Sequence, residues 1–426
     1  MKKKISLFVA VLIALLFGLA VFMATFSLMT FKNVSDALNN AEIPDTSGTD
    51  ATEDSADKRT DNGFINRLAE RIAEVDEIYR ELYIGELDDE FLIDCAIDGY
   101  VAGTEDKYGR YYNAEDFKEW TSDIEGEFAG IGVNVIFNAD YQVIEVINVF
   151  PDSPADRAGV LPGDLVIYAG EEHESVIDLG YYGAIDKIRG EIGTKAYFTV
   201  ARGENYEKEI DFEVEREQVT AVSVTYHKYA LDEEVGVIKI TEFDVPTSEQ
   251  FIEAVNALVN DGCKKLVVDL RYNPGGELNS IVQTLDFIVP AGPIVHIMDA
   301  DGKEVRAMYS DPRELDIPMA VLVNGSTASA AELFTSTVRD YDKAVIVGTT
   351  TYGKGCMQTT VPLSTGGAVT VTYRMYNPPF SENYHDVGIV PDIEIELDEA
   401  LAEKNVFKIT DEEDNQLRAA VEALAD

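Results

Sequence analysis

The sequence predicts a mixed α/β fold, with α+β character, built around a buried sheet. Three observations carry this. "KKLVVDLR" (264–271) is a near-continuous apolar run, as in a strand buried on both faces. Such runs alternate with helical periods: "EVGVIKIT" precedes "SEQFIEAVNALVNDG", and "PMAVLVNG" precedes "TASAAELFTSTVRDY". Upstream, "AGIGVNVIF", "YQVIEVINVF", "DLVIYAG", "KAYFTVARG" and "KEIDFEVER" are short strands parted by turns and two short helices within about 90 residues, the pattern of a small separate β-rich module.

In chain order, Met1 to Lys4 is a basic end, and Ile5–Phe31 is 27 residues without a charge. That length spans a bilayer, which needs about 20 residues. Lysines before the span put the remaining chain outside. The apolar run exceeds that of a cleavable signal peptide, and Gly18-Leu19-Ala20 is a weak cleavage site, so a retained signal anchor is expected. Residues 32–62 are polar, with eight acidic side chains against two basic ones from Asn33 to Asn62, and read as a flexible stalk. Phe64, Leu68, Ile72 and Val75 recur at helical steps, as do residues within Phe91–Val101, so 63–120 is expected to be helical. The β-rich module is expected over 121–215 and the α/β core over 216–426, closing with "GAVTVTYRMYNP" as strand and "EDNQLRAAVEAL" as a short helix.

The chain carries 79 acidic against 34 basic side chains, a formal net charge of -45. A field of that sign repels phosphates and excludes nucleic-acid binding as a function class. Cys95, Cys263 and Cys356 form neither a metal pattern nor a disulfide framework. Cys95 and Cys263 sit in helix-like segments and read as core residues. The four histidines are scattered, without metal-ligand spacing.

"VGTTTYGKGC" (347–356) has the glycine–x4–glycine–lysine spacing of a phosphate loop. Gly355 stands where that motif needs Ser or Thr, and the following residues are β-like rather than helical, so nucleotide binding is disfavoured. "VLVNGSTASAAELF" offers another use for Lys354. Ser326 or Thr327 is expected to cap the helix, which leaves Ser329 about one turn further in, among small alanines. A serine nucleophile needs a base, and a lysine serves if burial depresses its pKa. Tyr352, Met357 and Val361 offer an apolar setting. In "VVDLRYNPGGELN", the Gly275–Gly276 pair exposes backbone N–H groups that can stabilise an oxyanion together with the N–H of Ala330. A Ser–His–Asp arrangement using His385 stays open, as does an inactive scaffold that only binds.

These residues resemble the carboxyl-terminal processing peptidases, or tail-specific proteases, over roughly Phe64 to the end. "NGSTASAAE" is similar to that family's nucleophile segment, "TYGKGCMQ" to its general-base segment and "DLRYNPGG" to its oxyanion segment. The resemblance implies a crotonase-like α/β protease core with an inserted PDZ domain, a catalytic set of Ser329, Lys354 and Gln358, and no metal or cofactor. Gln358 would orient the lysine. Gly130, Ile131, Gly132 and Val133 resemble the PDZ carboxylate-binding loop, and Arg189 in "IRGEIGT" matches a segment tied to switching between resting and active states. Thr327, Ala331 and Cys356 depart from the commoner pattern without removing a catalytic group. The implied protein is a membrane-anchored, extracytoplasmic serine endopeptidase acting on proteins with free, apolar carboxyl termini. The family also includes assemblies, which makes a homo-oligomer a further expectation. The alternative is an inactive, membrane-tethered PDZ receptor.

Overall fold

The computed structural model describes residues 62–424 apart from 125–126, 139–140, 204–205, 402–403 and 405. The expected span at 5–31 and the stalk before Asn62 lie outside the described residues. Among the described residues, no helix is long and apolar enough to cross a membrane.

The two helical periods form α1 (Asn62–Leu82) and α2 (Asp89–Ala102). Asp88 starts α2 by accepting the Phe91 N–H at 3.1 Å. The apolar stripe of α1 is not buried: Phe64, Ile72 and Val75 are exposed, and so is Cys95 on α2. The reading of Cys95 as a core residue is therefore corrected; α2 presents it to the surface, whereas Cys263 is buried. The chain continues through β1 (Arg110–Tyr112), α3 (Ala114–Ile124) and β2 (Glu127–Gly130).

The β-rich module comprises β3 (Val133–Asn138), β4 (Val143–Val149), α4 (Pro154–Ala158), β5 (Leu165–Ala169), β6 (Glu174–Ser175), α5 (Val176–Ile188), β7 (Lys195–Arg202) and β8 (Lys208–Glu215). Its antiparallel sheet runs β3-β4-β5-β7-β8, with β6 on β5, so β3 is an edge. Ser153 and Pro154 start α4 as N-cap and first helical residue, and Gly159 ends it in the left-handed conformation. Alternate residues of each strand, among them Ile144, Leu165, Val200 and Val214, form one core with Ala184 of α5. A ribbon of β2 with β9 (Glu217–Thr220) ties the entry and exit of the module together.

The remaining elements are β10 (Val224–Lys228), β11 (Val235–Ile240), α6 (Thr247–Asn260), β12 (Lys265–Asp269), α7 (Leu278–Ile288), β13 (Gly292–Met298), β14 (Glu304–Ser310), β15 (Met319–Val323), α8 (Ala330–Asp340), β16 (Ala344–Gly348), β17 (Cys356–Pro362), β18 (Ala368–Asn377), β19 (Ile393–Glu394) and α9 (Asn415–Ala423). A six-stranded sheet runs β10-β11-β12-β15-β16-β19, parallel except at β10. It is buried on both faces, which explains its unbroken apolar runs. Ile238, Leu266, Val268, Val321 and Ile346 pack toward α6, α7 and α8. Val237, Val267, Ala320, Leu322 and Val347 pack against Leu417, Ala420 and Leu424. Phe243, Phe251 and Phe334 have no exposed surface and lock the three-helix side; truncating such a ring costs about 3–5 kcal/mol.

A second, antiparallel sheet runs β1-β18-β13-β14, with β17 on β18. β1 joins it by pairing Arg110 with Thr370, so a segment before the module completes a sheet after it.

Candidate active site

The turn between β15 and α8 is stitched to the end of β12. Thr327 is fully buried; its hydroxyl donates to Leu270 O (2.9 Å) and accepts from Asn324 N–H (2.9 Å). Ala328 N–H donates to Asn273 O at 2.9 Å. Neither Ser326 nor Thr327 caps the helix, because Thr327 is committed to β12. Helix α8 starts at Ala330, and Ser329 is itself the N-cap residue rather than one turn inside. Ser329 holds φ 55° and ψ -118°, a conformation that costs a non-glycine residue about 1–3 kcal/mol and is stored where neighbours over-determine it.

The neighbour that does so is Glu332, three residues on and fully buried. Its carboxyl accepts the Ser329 N–H (2.9 Å), the Lys354 N–H (2.7 Å), the Gly353 N–H (2.7 Å) and the Thr351 hydroxyl (2.5 Å). One side chain thus bonds the backbone of both Ser329 and Lys354. Burial pushes the Glu332 carboxyl above its ordinary pKa, and these four donors oppose that rise. Tyr376 bridges the same two residues: its hydroxyl donates to Lys354 O (2.7 Å) and lies 3.3 Å from Ser329 Oγ. Tyr384 reaches Ser329 O at 3.4 Å.

Lys354 sits in the loop between β16 and β17 and has no exposed surface. Burial lowers its pKa to about 7; Cys356, Glu332 and Asp106 work against the shift and Lys107 with it. The expected apolar setting is partly corrected: Met357 is buried, but Val361 is exposed near the far end of β17. Much of the cover comes from Tyr108, whose ring lies 4.7 Å from Lys354 Nζ. Gln358 is buried and donates to Cys356 Sγ (3.3 Å) and Thr372 Oγ1 (3.2 Å).

The glycines of this loop serve packing. A Cβ at Gly348 would stand 2.0 Å from Val323 O, and one at Gly355 would stand 2.3 Å from Asn383 Oδ1. A strand rather than a helix follows Lys354, so the phosphate-loop spacing has no helix N-terminus to complete it. His385 accepts from Gly355 N–H through Nδ1 at 3.3 Å, while Ser329 Oγ meets Tyr376.

The strand-to-helix turn after β12 completes the site. Gly275 (φ 110°) and Gly276 (φ 146°) both adopt conformations that favour glycine, and a Cβ at Gly276 would stand 2.1 Å from Phe243 O. The two glycines differ in what they offer. Gly275 N–H donates to Asn273 Oδ1 at 2.8 Å, whereas Gly276 N–H and Ala330 N–H take no partner among the described residues. Asn273 is fully buried and also donates to Ile240 O at 2.8 Å. Beneath the turn, Arg271 donates to Asp269 (2.9 and 2.8 Å), Asp414 (2.7 Å) and Gln416 (3.0 Å), which fastens α9 to the end of β12. Burial opposes the ionised form of Asp269, yet the charges of Arg271 and Lys239 hold its pKa down at about 2.

Ser329, Lys354, Gly275 and Gly276 thus belong to turns and loops of the core, with Ala330 at the start of α8 and Gln358 on β17. Gly130, Ile131, Gly132 and Val133 lie in the module at the start of its edge strand; Ser153 packs against Gly132, whose φ is 83°. Arg189 is exposed at the end of α5. Sequence reasoning passes over Glu332, although a Glu three residues after a serine is a capping-box signature. It also misses Asn273, inside the "NPGG" segment. Tyr376, Tyr108 and Asp106 carry no local signal.

A serine hydroxyl on a strained turn, a lysine whose pKa burial lowers and two N–H groups without a partner among the described residues can together run acyl transfer. Comparisons with known proteins point the same way. Peptidase family S41 matches residues 234–395. A protein of Staphylococcus aureus (strain N315) described as "Probable CtpA-like serine protease" is 32% identical over 366 residues, 84% of this chain and 71% of that protein. The Staphylococcus saprophyticus protein of the same description is 32% identical over 341 residues, 79% of this chain and 67% of its own length. A solved S41-type structure from Bacteroides fragilis shares the fold at TM-score 0.51 and 16% identity, covering 82% of this chain and 94% of that one. The protein is a serine-type peptidase. The chain belongs to peptidase family S41, among the C-terminal processing peptidases.

Proposed function

We propose that the protein is a membrane-anchored, extracytoplasmic endopeptidase that selects proteins by their free carboxyl termini and cleaves with a Ser329–Lys354 dyad. The observation that carries this reading is Lys354 itself: fully buried, held near neutrality, and bonded at its backbone by the same carboxyl that bonds Ser329. Neutral Lys354 takes the Ser329 proton as the oxygen attacks the peptide carbonyl. The N–H groups of Ala330 and Gly276 hold the oxyanion; Gly276 is preferred to Gly275 because the latter's N–H is spent on Asn273. Protonated Lys354 gives its proton to the leaving amine, and water then hydrolyses the acyl-enzyme. Gln358 orients the lysine.

The core is read as crotonase-like and the module as a PDZ domain. Support for the second comes from β3, an edge strand that the Gly130–Val133 segment leads into, which suits capture of a carboxylate and addition of the tail as an extra strand. Arg189 is read as a switch residue at the end of α5. The uncharged 5–31 run supports anchoring with the catalytic part outside. The exposed apolar residues of α1 and α2, among them Phe64, Ile78 and Phe91, support self-association.

The test is turnover of a defined peptide with an apolar carboxyl end. Ser329→Ala and Lys354→Ala should each reduce kcat by about 10³-fold or more, and amidation of the peptide's end should suppress cleavage. Undiminished cleavage by either variant would sink the dyad, and equal cleavage of the amidated peptide would sink carboxylate recognition.

A further inference from the structure

The chain between α2 and β1 crosses the lysine loop. Tyr108 is 3% exposed, and its ring clusters with Cys356, Tyr352 and Met375 over the Lys354 amine. Asp106 fixes this crossover. Its carboxylate accepts the N–H and the hydroxyl of Thr372, each at 2.8 Å, and also the Tyr108 N–H at 3.1 Å. The Thr372 hydroxyl in turn accepts from Gln358 Nε2 at 3.2 Å. A segment remote from Lys354 in the chain therefore both covers the amine and anchors its neighbour.

We propose that this crossover is a working part of the active site: Tyr108 is a positioning residue that shuts water away from Lys354, and Asp106 holds Gln358 in place through Thr372. The proposal rests on Lys354 being the general base. The ring face attracts an ammonium, which works against neutrality. Exclusion of water is the larger effect, since burial is the foremost cause of the lysine's lowered pKa. The charged and titratable groups around the amine are Lys107, Asp106 and Tyr108 from the crossover and Glu332 from α8. Tyr352 and Cys356 flank it on its own loop, Tyr376 lies on β18, and His385 and Asp386 lie on the segment beneath. Of these, Lys107 favours the neutral amine, and Cys356, Glu332 and Asp106 favour the charged one.

The test is kcat/KM against pH for the full chain, with a peptide bearing a free apolar carboxyl end. The wild-type acid limb is expected at about pH 7. Tyr108→Ala should move that midpoint up by about one unit or more, lowering activity near neutrality several-fold to tenfold while leaving it largely recovered at about pH 9. Tyr108→Phe should restore the wild-type midpoint, because the ring rather than its hydroxyl excludes water. Asp106→Asn should lower the plateau with no upward move, since the charge it removes favours the protonated amine. A folded Tyr108→Ala with the wild-type midpoint, or with an equal loss at every pH, overturns the inference. Should that variant not fold, Tyr108→His must show the same upward move, and a wild-type midpoint there overturns it equally. Lys354→Ala separates the two readings: if it stays active the dyad has failed, and if it is inactive while Tyr108→Ala is unmoved, only the role of Tyr108 has failed.

Discussion

Ser329 stands on a turn pinned by Leu270, Asn273, Thr327 and Glu332, residues of two short stretches of chain. Lys354 is enclosed by Tyr108, Cys356 and Tyr376 and by the segment around Asn383 and His385, which come from three separate stretches. On the serine side, hydrogen bonds hold a strained backbone in place. On the lysine side, packing removes water and changes the state of one amine. A nucleophile can therefore be positioned by short motifs, whereas a neutral lysine needs a pocket assembled from distant parts.

Glu332 is where the two sides meet, so its loss should break the comparison most completely. Glu332→Ala leaves four buried donors without their acceptor, each worth about 1–3 kcal/mol. It also frees the strained Ser329 backbone. Activity should fall at least about 100-fold, and thermal unfolding should shift strongly downward. A variant with near-normal kcat and Tm would show that the halves are held independently.

Arg271→Met tests the serine side alone. It leaves Asp414 buried without its cation and Asp269 with Lys239 alone, at a cost of about 3–5 kcal/mol in denaturant unfolding. The same cluster carries a pH signature. Asp269 has its pKa lowered in the fold from 3.8 to about 2, so its contribution is fully present above about pH 4 and is lost as pH falls toward 2. The variant should lose this part of the acid dependence, and an unchanged acid profile would contradict the assignment.

The smallest effect has the opposite sign. Lys354 is charged in the unfolded chain up to about pH 10.5 and neutral in the fold above about 7. The unfolded chain binds more protons across that window, so the lysine opposes folding at neutral pH and less so as pH rises. Lys354→Met should abolish turnover yet raise Tm at pH 7 by a few degrees, the advantage shrinking toward pH 10. A lower Tm at pH 7 would show that the amine is stabilised by its surroundings.

Much of the fold and of the site is legible in the amino-acid sequence. "KKLVVDLR" announces a strand buried on two faces, and it lies between the α6–α8 core and α9. The segments around Gly275, Ser329 and Lys354 supply most residues of the site, because each motif is local and its residue types are tied to one backbone shape. The misreadings arise where local pattern and tertiary context part. The α1 stripe of Phe64, Ile72 and Val75 has the spacing of a core face and is exposed. Thr327 has the chemistry of a cap and is committed to β12. Glu332 stands inside the nucleophile segment, but nothing local says that its carboxyl will also meet the loop 21 to 22 residues on.

The sequence by itself determined the alternation of strands and helices around the buried sheet, the glycine pair in the turn after β12, and the serine and lysine carried on separate turns of the core. Periodicity, turn chemistry and motif spacing are properties of neighbouring residues. Only the tertiary structure decided which N–H of the glycine pair is available, that Ser329 is strained, and that Tyr108 and Asp106 close over Lys354. Those outcomes depend on hydrogen-bond competition and exclusion of water, and both arise only when remote segments are packed together.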